Sequence, residues 1–345
     1  MTRVIFRTLR RAVHCTLPLW IWAAAPVLAD VTVRYQTDIK LASFLPPQAR
    51  EQAEKAWQGN RGYLLRFKDG KGWTDMNSWT SLLDYTTQQM TLIDSAQKTF
   101  CTLPLADFTD KLFAAMPKFG KLPKMENVPE EQQKAMADTM AKMMANLKVT
   151  FDSKKTGRTD TIQGIVADER ELTIAIEMPM PAGSPQSVMH MKIVMQVWGA
   201  QPGEALKNQA IRELAGYNLY ANYFMNPAGM LQKMFSGMPG YAEALKSMTE
   251  EFSAAKSPML RMRMSMFVGM PPDAVRKSAD QSPGAAPIDP NAPMFEITQE
   301  AVEISSALLD EAAFRIPAGY KAMPAEEIIR NMMRSQMAMT AGTGH

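Results

Sequence analysis

Beyond residue 29 the chain carries two histidines, His190 and His345, and one cysteine, Cys101, so the chemistry open to it is narrow. Ser-His-acid catalysis needs a histidine held beside a nucleophile. No G-x-S-x-G turn, phosphate-cradling glycine loop, H-E-x-x-H or C-x-x-C pair occurs. Carboxylates grouped at Asp168, Glu169 and Glu171, and at Glu250 and Glu251, could supply an acid and a base to a glycoside. Their turn and helix-face surroundings read instead as solvated charge. Cys101 follows Phe100 in an apolar run and reads as a buried, inert thiol. A protein without catalysis, and without a cofactor, is the expectation.

Methionine is the residue in excess, with 30 in the chain. "MLRMRMSMF" (259–267) places four in nine positions, and "MHMK" sets His190 between Met189 and Met191. Thioethers are soft ligands that favour Cu(I), which makes Met189, His190 and Met191 a candidate metal set. In a strand, however, successive side chains point to opposite faces, so His190 faces away from both neighbours. The same alternation puts Leu260, Met262, Met264 and Met266 on one side and Arg261, Arg263 and Ser265 on the other. Core packing is the first reading of that side. The second is an adaptable lining for apolar ligands, since unbranched, polarizable side chains re-pack around varied guests, and copper is the third.

Strands must position these residues. "RGYLLRFKDGKGWTDM" (61–76) has Asp69-Gly70 between two alternating runs, a hairpin signal. "WTSLLDYTTQQMTLIDSAQKTFCTL" continues it, with polar breaks near Gln88 and Ser95, and predicts an antiparallel meander. "VTFDSKKTGRTDTIQGI" and "ELTIAIEM" follow, the latter alternating at Leu172, Ile174, Ile176 and Met178. In "VMHMKIVMQVW" Met189, Met191, Ile193, Met195 and Val197 share a side opposite His190, Lys192 and Gln196. A further strand is expected at 294–308.

Helical stripes interrupt the strands. Met136, Met140, Met143, Met144 and Leu147 recur over 127–147, with Asn127 as cap. Leu206, Ala210, Leu214, Tyr217, Ala221 and Phe224 recur over 204–225, and Tyr241, Leu245, Met248 and Phe252 over 240–255. "KSADQSPGAAPIDPNAP" (277–293) reads as a mobile loop, and a C-terminal helix is expected at 324–339.

The first 29 residues have the layout of a secretory signal peptide. Arg3, Arg7, Arg10 and Arg11 precede the apolar "TLPLWIWAAAPVLA", which ends in Val27-Leu28-Ala29. Cys15 lacks the small residue before it that lipid attachment requires. Cleavage predicts a periplasmic or secreted protein beginning at Asp30. It leaves 34 basic against 35 acidic residues, a charge of −1, so nothing in the charge argues for nucleic acid. No later segment has membrane-spanning length, and a lone Cys101 means stability without an internal disulfide.

"GKGWTDMNSWTSLLDYTTQQMTLIDSAQKTF", "KKTGRTDTIQG" and "SSALLDEAAFRIPAGYKAMPAEEII" resemble an exported bacterial family of uncharacterised function. Its members are similar in build to the periplasmic lipoprotein carriers. The likeness covers roughly Gly62 to Phe108, Val149 to Trp198 and Met259 to Pro324. Phe314-Arg315-Ile316-Pro317-Ala318-Gly319-Tyr320 is its most specific piece, matching "F-x-[IV]-P-x-G-Y". The chain departs in having Val166 and Ala167 where many members place a cysteine, and in large insertions at 109–147 and 204–255.

What the resemblance implies is one α+β domain over 30–345, a curved antiparallel sheet forming an incomplete β-barrel. The helical insertions would cover its concave side. Such a half-barrel would bind a lipid, a lipidated or envelope protein partner, or another hydrophobic ligand; the alternatives are a methionine-based Cu(I)-binding periplasmic protein and an envelope structural or interaction protein whose helical insertions bind another protein. Trp73, Trp79, Tyr85, Met191, Met262 and Met264 are the expected lining.

Overall fold

A computed structural model describes residues 30–43, 45, 47–57, 61–76, 79–115, 131–135, 138–139, 146–179, 188–225, 246–247, 257–269 and 292–341. The expected signal peptide lies outside the described residues. So do most of the helical stripes at 127–147 and 240–255, and the 277–293 loop as far as residue 291. The described residues form a large, curved, unclosed antiparallel sheet with a few helices, an α+β fold.

The strands are β1 (Val31–Leu41), β2 (Gly62–Lys68), β3 (Lys71–Met76), β4 (Trp79–Asp84), β5 (Gln89–Asp94), β6 (Thr99–Pro104), β7 (Lys148–Ile162), β8 (Ile165–Pro179), β9 (Val188–Ala200), β10 (Met259–Gly269), β11 (Phe295–Ser305) and β12 (Lys321–Ala322). Their spatial order is β12-β6-β5-β4-β3-β2-β1-β11-β10-β9-β8-β7. All neighbours are antiparallel except β12, which runs parallel to β6. The helices are α1 (Pro47–Trp57), α2 (Leu105–Ala115), α3 (Glu204–Lys207), α4 (Gln209–Met225) and α5 (Ala325–Ala341).

Local chemistry builds the meander β2 to β6. Asp69 and Gly70 both adopt positive φ, +46° and +77°, which a two-residue turn matched to strand twist requires. The next two turns use one device twice. Asp84 Oδ1 accepts from the amides of Thr86 and Thr87, and Asp94 Oδ1 from those of Ala96 and Gln97. Each turn ends on a residue of positive φ, Gln88 or Lys98. A fourth tight turn, Gln163-Gly164, folds residues 148–179 into the long hairpin β7–β8.

The core over β1 to β6 lies on one face of the sheet, called the inner face below. Leu83, Met90, Leu92, Cys101 and Leu103 pack there against Phe108 and Leu112 of α2 and Ile328 and Ile329 of α5. Val31, Val33, Tyr35 and Leu65 pack on Ala210 and Leu214 of α4. A third cluster, with Ile162, Ile165, Ala200, Leu260 and Ile211, gathers at the strand ends where β9 leads into α3.

The opposite, outer face of β3 to β6 is covered by the segment after β11. Trp73 and Ile93 are buried there beneath Phe314 of a short 3-10 turn (Glu311–Phe314). Asp30, 2% exposed, fastens that segment: its carboxylate accepts from Lys68 Nζ at 3.2 Å and from the Leu309 amide, while Lys68 donates to the Leu309 carbonyl at 2.6 Å.

Candidate functional site

Strand register sorts the wide half of the sheet, β7 to β11, into rows. Lys155, Arg170, Val197, Met262, Gln299 and Thr37 stand side by side across six strands. Two residues along comes a second row, Ser153, Leu172, Met195, Met264, Ile297 and Ile39. The third is Phe151, Ile174, Ile193, Met266, Phe295 and Leu41, and the fourth Val149, Ile176, Met191 and Val268.

Alternation along β1 carries these rows onto the inner face, since Thr37, Ile39 and Leu41 continue the series Val31, Val33 and Tyr35. Rows two to four are apolar apart from Ser153. Leu172 and Val149 are buried, and most of the others are half-buried.

The rows between them, on the outer face, are charged and paired. Lys154 meets Glu171 at 2.8 Å, Arg263 meets Glu296 at 2.6 Å, and Arg261 meets Glu300 at 2.7 Å. Arg261 also lies over the Trp198 ring at 5.3 Å and reaches Asp160. Opposite charges facing each other across strands favour this register, and a one-residue slip would exchange the two faces.

The six residues expected to line a site are not brought together. Met191, Met262 and Met264 lie in the inner rows of β9 and β10. Trp79 and Tyr85 are on the same face but inside the packed core near α5, where Trp79 Nε1 donates to Ser335 Oγ at 3.1 Å. Trp73 is on the other face, paired with Leu82 and covered by Phe314.

Leu260 also departs from the expected alternation. An extra residue between Met259 and Arg261 makes a bulge, so fully buried Leu260 joins Ile211 and Ala200 instead of the methionines. Lys155, Ser153, Arg170 and Met195 belong to the inner rows and were not among the expected residues. The alternation Leu172, Ile174, Ile176 extended back by one step reaches Arg170.

His190 stands beside Glu177, with Nδ1 to Oε1 at 3.8 Å, whereas Met189 and Met191 adjoin Met178 and Ile176 on the other side. One strand therefore cannot turn all three onto one ion. Among the described residues no three His, Cys, Asp or Glu side chains group as metal ligands. Glu169 is 2% exposed and bound by Arg158 and by Thr156 Oγ1 at 3.1 Å, Asp168 accepts from Gln201 Nε2 at 2.6 Å, and Glu171 is held by Lys154. Burial pushes the Cys101 thiol above its ordinary value, as an inert core cysteine requires.

Where β1 meets β2, five aromatic rings join the two halves of the inner face. Tyr35 stacks on Tyr63 at 4.6 Å, and Tyr217 of α4 sits edge-on to Phe67 and Tyr85 at 5.4 and 5.9 Å. Tyr35 also donates to the Met259 carbonyl at 2.9 Å, tying β1 across β11 to β10. No described helix is long and apolar enough to cross a membrane. No family model matches the chain, and no curated protein matches it.

Proposed function

We propose that this is a non-catalytic, exported binding protein for a lipid, a lipidated partner or another hydrophobic ligand, acting in the periplasm or outside the cell after loss of residues 1–29. The observation that carries the reading is the set of apolar rows on the inner face of β7 to β11, where methionines from two adjacent strands lie among Ile, Leu, Val and Phe. Burying an acyl chain there would contribute about 0.8 kcal/mol per methylene, and methionine adapts to chains of differing shape. The resemblance to lipoprotein carriers supports the same role for a single domain of residues 30–345, with helical segments laid over the concave side.

Native mass spectrometry of protein purified from the export compartment tests it. Co-purified lipid is the expected result. A clean apo mass, together with no binding of a fluorescent fatty acid, overturns it.

A second reading rests on one further feature. Met195 is directly opposite Met264, and Met262 and Met266 flank Met264 on the same side, so thioethers alone could ligate Cu(I). Competition with a chromogenic Cu(I) chelator at micromolar metal decides it, and no competition removes it.

A further inference from the structure

Two local features of the strands open a cleft on the outer face, away from the apolar rows. The register between β1 and β11 shifts, with Arg34 opposite Glu303 but Tyr35 opposite Ala301. Val302 is thus the extra residue of a bulge, and it is 36% exposed. Nearby, Gln36 stands opposite Gly62 at the start of β2. A Cβ at Gly62 would lie 2.1 Å from the Tyr35 carbonyl oxygen, so this position takes no side chain and leaves a gap in the outer row. The result is an open cavity of about 450 Å³, within the range of small-molecule sites.

Register sets the charge of its walls. Glu303, Arg34, Leu64, Asp75 and Thr80 form one row across β11, β1, β2, β3 and β4. Arg34 Nε donates to Glu303 at 3.1 Å, an exposed pair that constrains Arg34 weakly. Asp75 Oδ1 accepts from Thr80 Oγ1 at 3.4 Å, while Oδ2 has no partner among the described residues. Arg61 is exposed and lines the cleft, and neither its guanidinium nor the Gln36 side-chain amide has a partner among the described residues. Leu64 and Val302 add apolar surface. The cleft therefore holds unengaged charge of both signs, an amide and a small apolar wall.

The spacing of the charges limits what can satisfy both. Asp75 faces Leu64, three residues along β2 from Arg61. With strands about 4.8 Å apart and about 3.3 Å per residue, the Arg61 and Asp75 backbones lie about 11 Å apart. Arg34, two strands from Asp75, is about 10 Å away. Side chains reaching inward shorten both spans. From standard bond lengths, an amino acid holds its ammonium and carboxylate about 2.5 Å apart, and an extended dipeptide about 6 Å. A simple anion or cation would meet one sign only.

We propose that this cleft binds a short peptide with free ends, of dipeptide length. Arg61 and Arg34 take its carboxylate, Asp75 its ammonium and Gln36 its central amide. The planar fork of arginine suits a carboxylate. The site is separate from the apolar rows and does not depend on the binding role proposed above.

Calorimetric titration of the purified protein with alanylalanine, N-acetyl-alanylalanine, alanylalanine amide and alanine tests the assignment. The free dipeptide should bind at least about tenfold more tightly than any of the other three, equivalent to about 1.4 kcal/mol, and should weaken with salt. Arg61→Gln should weaken the dipeptide and the acetylated form and leave the amide unchanged. Asp75→Asn, which keeps an acceptor for Thr80, should weaken the dipeptide and the amide and leave the acetylated form unchanged.

Arg61 is exposed, so its variant and the capped peptides decide the matter even if Asp75→Asn does not fold. Neither change should alter fatty-acid binding on the inner face. Equal affinity of wild type for the dipeptide and any of the other three, or no binding of the dipeptide at millimolar concentration, overturns the assignment and leaves the hydrophobic-binding role standing. Equal weakening of all four ligands by Arg61→Gln overturns it as well.

Discussion

Gly72 on β3 lies directly under the ring of Tyr217 on α4: a Cβ at Gly72 would stand 2.3 Å from Tyr217 Cε2. The absence of a side chain is what lets α4 approach the sheet. Gly72→Ala should therefore destabilise the fold by about 1–3 kcal/mol through overpacking. Tyr217→Ala should remove most of that penalty, so that the double variant is more stable than the two single costs predict. Urea denaturation of the four proteins measures the coupling, and additive costs would refute the contact.

The aromatic cluster predicts alkaline lability. Burial holds the phenols of Tyr35, Tyr63, Tyr85 and Tyr217 above the ordinary tyrosine value. Unfolded tyrosines ionise near pH 10 while the folded ones stay protonated. Their contribution is thus complete below about pH 10 and is lost as pH rises further. Denaturation midpoints measured from about pH 8 to about pH 11 should fall steeply at the upper end. Tyr85→Phe should make the fall shallower.

Asp30 and Lys68 hold the segment after β11 against the outer face. Removing the cation leaves a carboxylate that is 2% exposed without its charge partner. Lys68→Met should cost about 3 kcal/mol. Hydrogen exchange at the Leu309 amide, which donates to Asp30, should accelerate before exchange in β5 does. Unchanged protection at Leu309 would separate the pair from the segment it appears beside.

Rows and core should answer substitution differently. Leu172 is 4% exposed, and Leu172→Ala should cost about 2–5 kcal/mol. Half-buried Met264 has room to re-pack, so Met264→Ala should cost at the low end of that range, about 2 kcal/mol or less. The same change should weaken binding of a fluorescent fatty acid several-fold, whereas Arg263→Lys, on the outer face, should not. Equal loss of binding from both changes would place the ligand elsewhere.

Cys101 gives an independent check on the packing of β6 under α2 and α5. Its thiol is buried and its ionisation is suppressed by burial. An aromatic disulfide reagent should react with it only on unfolding, at the rate set by the denaturant.

What the sequence determined is local. Asp69-Gly70 dictated a two-residue turn because both positions need positive φ, and the polar breaks at Gln88 and Ser95 ended strands where the aspartates cap the turns. Alternation within 188–198 placed Met191, Met195 and Val197 on one side of β9, because the side-chain period of a strand is two whatever surrounds it. The helix at Ala325–Ala341 begins one residue after the expected start, just past Pro324. β1 and α1 carried the same kinds of signal and were not among the expected elements.

Only the tertiary structure decided how these pieces are phased against one another. Trp73 and Trp79 are six residues apart, yet a reversal of chain direction between β3 and β4 puts one under Phe314 and the other near Ser335. Leu260 left the methionine series because of one bulged residue. Pairing of β1 with β11, more than 250 residues away in the chain, joined the packed half of the sheet to the methionine rows. Period and turn chemistry act over two to four residues and can be seen in the sequence. Register between distant strands is set by side-chain fit across the whole sheet, and it was register that brought Lys155, Arg170 and the methionines onto one face.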